Sequence, residues 1–148
     1  MDPAPRPLSE RAQDEELGVP VPFACDGTSY GVPGAGSIRE LDRRRVTQCA
    51  LSRVCGVCGA TLGRPLAFVG SAEEADRNAF HFPACHVECA QALLDVVARL
   101  AVPVLGQPVP VDPWVLVTTP AFEFVRPSSG EDDRWPTFQP YEVLTSTR

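Results

Sequence analysis

Cys55 and Cys58 are separated by two residues in RVCGVCG, and His86 and Cys89 by two in ACHVECAQALLDVV. Thiolate sulfur and imidazole nitrogen are the ligands zinc prefers, four to an ion in a tetrahedron, and two-residue spacings deliver them in pairs. The two pairs predict one structural Zn²⁺ per chain. Four strong protein ligands leave no open position for a water, so the same pattern argues against catalysis at that ion. No GxSxG, phosphate-binding glycine loop or dinucleotide fingerprint occurs, and no catalytic residue is assigned.

Competing chemistries use the same residues. A thioredoxin-like CxxC normally opens a helix after a strand, whereas glycines and a hairpin pattern follow this one. Cys85 stands four residues from Cys89 and competes with His86. Adjacent side chains point in different directions, so only one of the two is expected to ligate, and the matched two-residue spacing selects His86. His81, in the apolar run AFHFP, is a reserve ligand. Cys25 and Cys49 have no partner at ligand spacing and read as small packing residues.

The neighbouring sequence supplies the elements that would hold these ligands. Gly56 and Gly59 allow a tight turn around sulfur. PLAFVG at 65–70 and AFHFP at 79–83 read as short strands, with Ser71 and Glu74 as the capping box of a helical turn between them. Ala90, Leu93, Leu94, Val97 and Ala101 then form a helical stripe that ends before Pro103. His86 and Cys89, three apart in its first turn, would share a face, and the N–H groups of a helix start favour the Cys89 thiolate. A CxxC turn, a hairpin, and a helix carrying the second pair resemble a treble-clef zinc finger over residues 53–101. That resemblance implies a zinc-held fold and names no activity.

Beyond the finger, Ser37 and Glu40 suggest a second capping box opening a helix over 38–51. Residues 103–113 are too proline-rich for a central strand, and WVLVTT at 114–119 with AFEFV at 121–125 predict a β-hairpin bent at Pro120. Residues 1–17 are charged and poor in large apolar groups, which predicts a disordered tail; 18–23 reads as extended and 26–36 as a loop. Residues 127–148 are expected to be a mostly irregular tail docking through Trp135 and Phe138. With 16 prolines and 11 glycines in 148 residues, the expected fold is α+β. It is a small, loop-rich single domain over 18–126, with short antiparallel strands and two main helices.

The net charge is −6, from 19 acidic and 13 basic residues, and every basic residue is arginine. Such a balance disfavours non-specific binding to phosphate backbones. Arg39, Arg43, Arg44, Arg45 and Arg53 nevertheless cluster in sequence and would form a local basic face for nucleic acid, or a solvated helix face. The expected function is a non-catalytic zinc module with a protein partner, of adaptor or regulatory type. Nucleic-acid binding is the alternative, or a degenerate HNH-like nuclease, whose residue set His81, Asn78 and His86 resemble. That set would lose His86 to a structural zinc, and PLAFVG replaces the His-rich first strand. No small-molecule substrate is implied. No segment reads as a signal peptide or membrane helix, so a cytoplasmic location with reduced thiols is expected.

Overall fold

The computed structural model describes residues 6–27, 36–127 and 135–147. SSGEDD at 128–133 and most of the 26–36 loop lie outside them. The architecture is α+β as expected, with three α-helices and two antiparallel sheets among the described residues.

The central strand is β1 (Leu66–Gly70), buried at every position. It pairs on one side with β2 (Cys85–His86) and on the other with β3 (Val115–Thr119), whose outer edge takes β6 (Thr145–Ser146). Phe68 lies opposite Val117 and Leu66 opposite His86. Helix α3 (Val87–Val97) packs on this sheet through Ala90, Leu93 and Val97, a stripe at helical spacing with each residue fully buried. Its carboxyl end is held by Arg99, whose Nε donates to the Asp95 carbonyl at 3.0 Å. Between β1 and β2 sits α2 (Ala72–Arg77), with both hydrogen bonds of the expected Ser71–Glu74 capping box in place.

Two expected strands find other partners. WVLVTT and AFEFV do not form a hairpin: β3 joins β1, while β4 (Phe122–Val125) pairs with β5 (Thr137–Pro140) in a separate sheet. Pro120 stands between β3 and β4, and Thr119 Oγ1 donates to the Ala121 carbonyl at 2.8 Å to shape the bend. AFHFP contributes a single bridge, Phe80 opposite Phe138, so the strand that pairs with β1 comes later. The segment expected to be mostly irregular thus carries two short strands, β5 and β6. Phe138 is fully buried and meets Phe80's neighbour Phe68 at 6.0 Å, Phe122 at 5.4 Å and Phe124 at 5.1 Å between ring centroids, which joins the two sheets.

Residues 6–17, expected to be disordered, are built into the fold. Charge alone misleads here because the charges are paired. Leu8 is buried, and Arg11 donates to the Val21 carbonyl at 2.7 Å and to Asp26 at 2.8 Å. The buried Asp14 carboxylate accepts the N–H groups of Glu16, Leu17 and Ile38 at 2.8–3.0 Å. Helix α1 (Arg43–Ser52) begins later than 38. The Ile38 carbonyl accepts Leu105 N–H at 2.8 Å, the Arg39 carbonyl accepts Gly106 N–H at 2.9 Å and Asp42 N–H goes to the Ala24 carbonyl at 2.8 Å, so the groups that a helix from 38 would pair are used elsewhere. Asp42 caps α1 instead, accepting Arg45 N–H at 3.0 Å.

Candidate metal centre

The CxxC segment folds as a knuckle. Its mouth is closed by a bridge between Val54 and Thr61, with Cys55 N–H donating to the Ala60 carbonyl at 2.8 Å and Gly59 N–H to the Cys55 carbonyl at 2.9 Å. Gly59 has φ +79°, and a Cβ there would meet the Phe23 ring at 2.7 Å, so a glycine is needed for both conformation and space. The turn aims N–H groups at sulfur: Val57 N–H lies 3.3 Å from Cys55 Sγ and Ala60 N–H 3.5 Å from Cys58 Sγ. Such donors stabilise thiolate over thiol.

The second pair arrives from β2 and α3. His86 is not inside the helix, as its spacing from Cys89 suggested, but stands at the position just before it, with Cys89 in the first turn. Because neighbours on a strand face opposite sides, β2 separates the two competitors for the fourth position. His86 faces the knuckle. Cys85 is fully buried and its thiol donates to the Pro83 carbonyl at 3.3 Å.

The ligating atoms of Cys55, Cys58, His86 and Cys89 all lie within 4.8 Å of one another. His86 Nδ1 is 3.4 Å from Cys58 Sγ and 3.7 Å from Cys89 Sγ. A tetrahedral zinc with ordinary bond lengths sets S···N edges of about 3.6 Å, which the two His86–sulfur distances match. His86 Nε2 lies 2.8 Å from the Thr61 carbonyl, an acceptor only, which fixes the proton on Nε2 and leaves the Nδ1 lone pair pointing into the cluster.

Electrostatics within the cluster favour a cation. The Cys55 thiol is held far below its ordinary value, chiefly by hydrogen bonding from the Cys58 thiol and also from that of Cys89. Cys58 and Cys89 are both pushed up, chiefly by that same contact with Cys55. A bound divalent ion would stabilise all three thiolates. Outside the cluster, burial pushes up the thiols of Cys25 and Cys49, as suits packing residues.

Neither of the other HNH-like residues joins the cluster. Asn78 adopts the left-handed conformation at the end of α2 and donates to the Pro140 carbonyl at 2.8 Å. His81 Nδ1 lies 3.0 Å from Glu74 Oε2. One arginine of the expected basic face is internal, and three others have partners within the chain. Arg45 is fully buried, its guanidinium 4.3 Å from the Phe23 centroid and bonded to the Asp26 carbonyl and Gln48. Arg39 makes a two-pronged pair with Glu16, Arg43 lies over Trp135 at 5.3 Å and Arg53 over Phe122 at 4.9 Å.

Sequence reasoning missed the Thr61 carbonyl, since a backbone acceptor leaves no residue signature. It missed the depth of Glu74 as well, although the capping box had marked that residue. The class that emerges is a mixed α+β domain with a Cys₃His cluster able to hold a metal ion. Searches against protein-family models, curated proteins and solved structures find no match to this chain.

Proposed function

We propose that this protein is a non-catalytic interaction module whose scaffold is held by one structural zinc on Cys55, Cys58, His86 and Cys89, in a treble-clef-like finger. The observation that carries the reading is the closed Cys₃His cluster with the His86 tautomer set by Thr61. Zinc, borderline-soft and content with four nitrogen and sulfur ligands, suits the set better than magnesium or calcium, which take oxygen. Bound there, it would supply cross-linking of the knuckle to α3 and no chemistry. A reducing compartment such as the cytoplasm fits six free thiols.

A protein partner is favoured over nucleic acid because Arg45 is buried, Arg39 is paired with Glu16, and the net charge is −6. No helix among the described residues is long and apolar enough to cross a membrane.

Elemental analysis of purified protein tests the metal. About one zinc per chain is expected in wild type, lost or weakened in Cys58→Ser and in His86→Ala, and retained in Cys85→Ser. Retention in His86→Ala together with loss in Cys85→Ser would assign the fourth position to Cys85.

A further inference from the structure

A cleft of about 840 Å³ lies away from the metal ligands, between α2 and the proline-rich segment 107–113. That volume is in the range of recognition pockets, and its composition is one-sided. Pro108, Pro110 and Pro113 have no N–H and offer only carbonyls, while Glu40, Glu73 and Asp112 add exposed carboxylates. Against these acceptors the lining sets one arginine, Arg77, among the described residues. Gln107 Nε2 is already spent on Glu74 Oε1 at 2.6 Å. The apolar part of the wall includes Val109, 60% exposed, and Val111.

An acceptor-rich, anionic cleft with an apolar wall complements a donor-rich cation carried on an apolar body. Guanidinium fits best, with five donors and no acceptor. We propose that this cleft binds an arginine-bearing segment of a partner protein, with apolar residues of that segment on Val109 and Val111. The inference rests on the interaction-module reading and names the surface and partner chemistry that reading lacks.

Glu74 and His81 form the floor. Each Glu74 oxygen accepts two donors: Ser71 N–H and Gln107 on Oε1, and His81 N–H and Nδ1 on Oε2. The floor is thereby rigid, and recognition falls to the rim carboxylates.

Selection of a random eight-residue peptide display library against the immobilised full chain, with metal content measured first, tests the proposal. Enrichment of arginine beside apolar residues is expected. The selected peptides should bind roughly tenfold more weakly to a Glu40→Gln/Glu73→Gln double variant, and more weakly in high salt. Val109→Arg, also at an exposed site, should block them, while circular dichroism of each variant matches wild type. Absence of enrichment, enrichment of acidic or purely apolar peptides, or binding indifferent to these variants overturns the cleft. Enrichment on a chain that carries no zinc would instead leave the cleft standing and overturn the metal reading. Peptides that bind yet ignore the cleft variants would retain an interaction module and reject this surface.

Discussion

At the residue scale, Gly59 is the position where metal knuckle and scaffold meet with least tolerance. A methyl group there would enter the Phe23 ring while keeping a positive φ. Gly59→Ala is expected to cost about 1–3 kcal/mol, read as a lower urea midpoint at unchanged slope. An unchanged midpoint would mean that Phe23 moves aside without penalty. Gly63, where an added methyl would have no neighbour within 4 Å, is the control: Gly63→Ala should leave the midpoint nearly unchanged.

At the scale of elements, α2 depends on one buried carboxylate. Burial opposes ionisation of Glu74, but hydrogen bonds from the His81 side chain, Ser71 N–H and His81 N–H outweigh it and hold the carboxyl below its ordinary value of 4.5. A depressed folded value stabilises the protein fully above the unfolded value and ceases to do so as pH falls through the folded one. Glu74→Gln places an amide nitrogen against two donors whichever way it turns, and should cost about 3 kcal/mol at pH 7. The difference between wild type and variant should shrink as pH falls below about 4.5. Denaturant melts across that range check it; comparing two chains with the same cysteines cancels the acid sensitivity of the metal site. A constant difference would deny the ionised Glu74 its role.

The elements were legible where local signals and tertiary demands agree. The Ser71–Glu74 box, β1 and the α3 stripe follow from spacing alone, as do Cys55 and Cys58. The start of α1 did not, because Leu105 and Gly106, from a distant segment, take the Ile38 and Arg39 carbonyls. Strand pairing was equally hidden: β3 is as good a neighbour for β4 by composition as for β1, and only the phenylalanine cluster around Phe138 decides. The candidate ligands read from spacing, which already preferred His86 to Cys85, and the structure brings those four residues together.

On the scale of the whole molecule, two supports hold the domain. The phenylalanine cluster joins the sheets. The knuckle carbonyls tie down the amino-terminal segment: Arg6 N–H reaches Cys58 O at 3.0 Å, Phe23 N–H reaches Val57 O at 3.0 Å and Ala24 N–H reaches Gly56 O at 2.9 Å. On the zinc reading, chelation should thus act unevenly. Amide hydrogen exchange is expected to accelerate first at Phe23, Ala24 and Gly56, with Phe68 and Val117 in the β1–β3 ladder protected longer. Uniform acceleration would mean that one cooperative unit includes both supports. No acceleration would remove the metal from the account of stability.

The ligand order also bears on synthesis. Cys58 and His86 are separated by 27 residues, and all four ligands have been made by residue 89, whereas β3, β5 and β6 come from residues 115–146. Closing a loop of that length costs little more than closing a shorter one, because the entropic penalty grows only with the logarithm of length. On the zinc reading, a nascent chain can capture its ion while the strands that complete both sheets are still unmade. The zinc supply at that moment, more than conditions after release from the ribosome, would then govern the yield of folded protein.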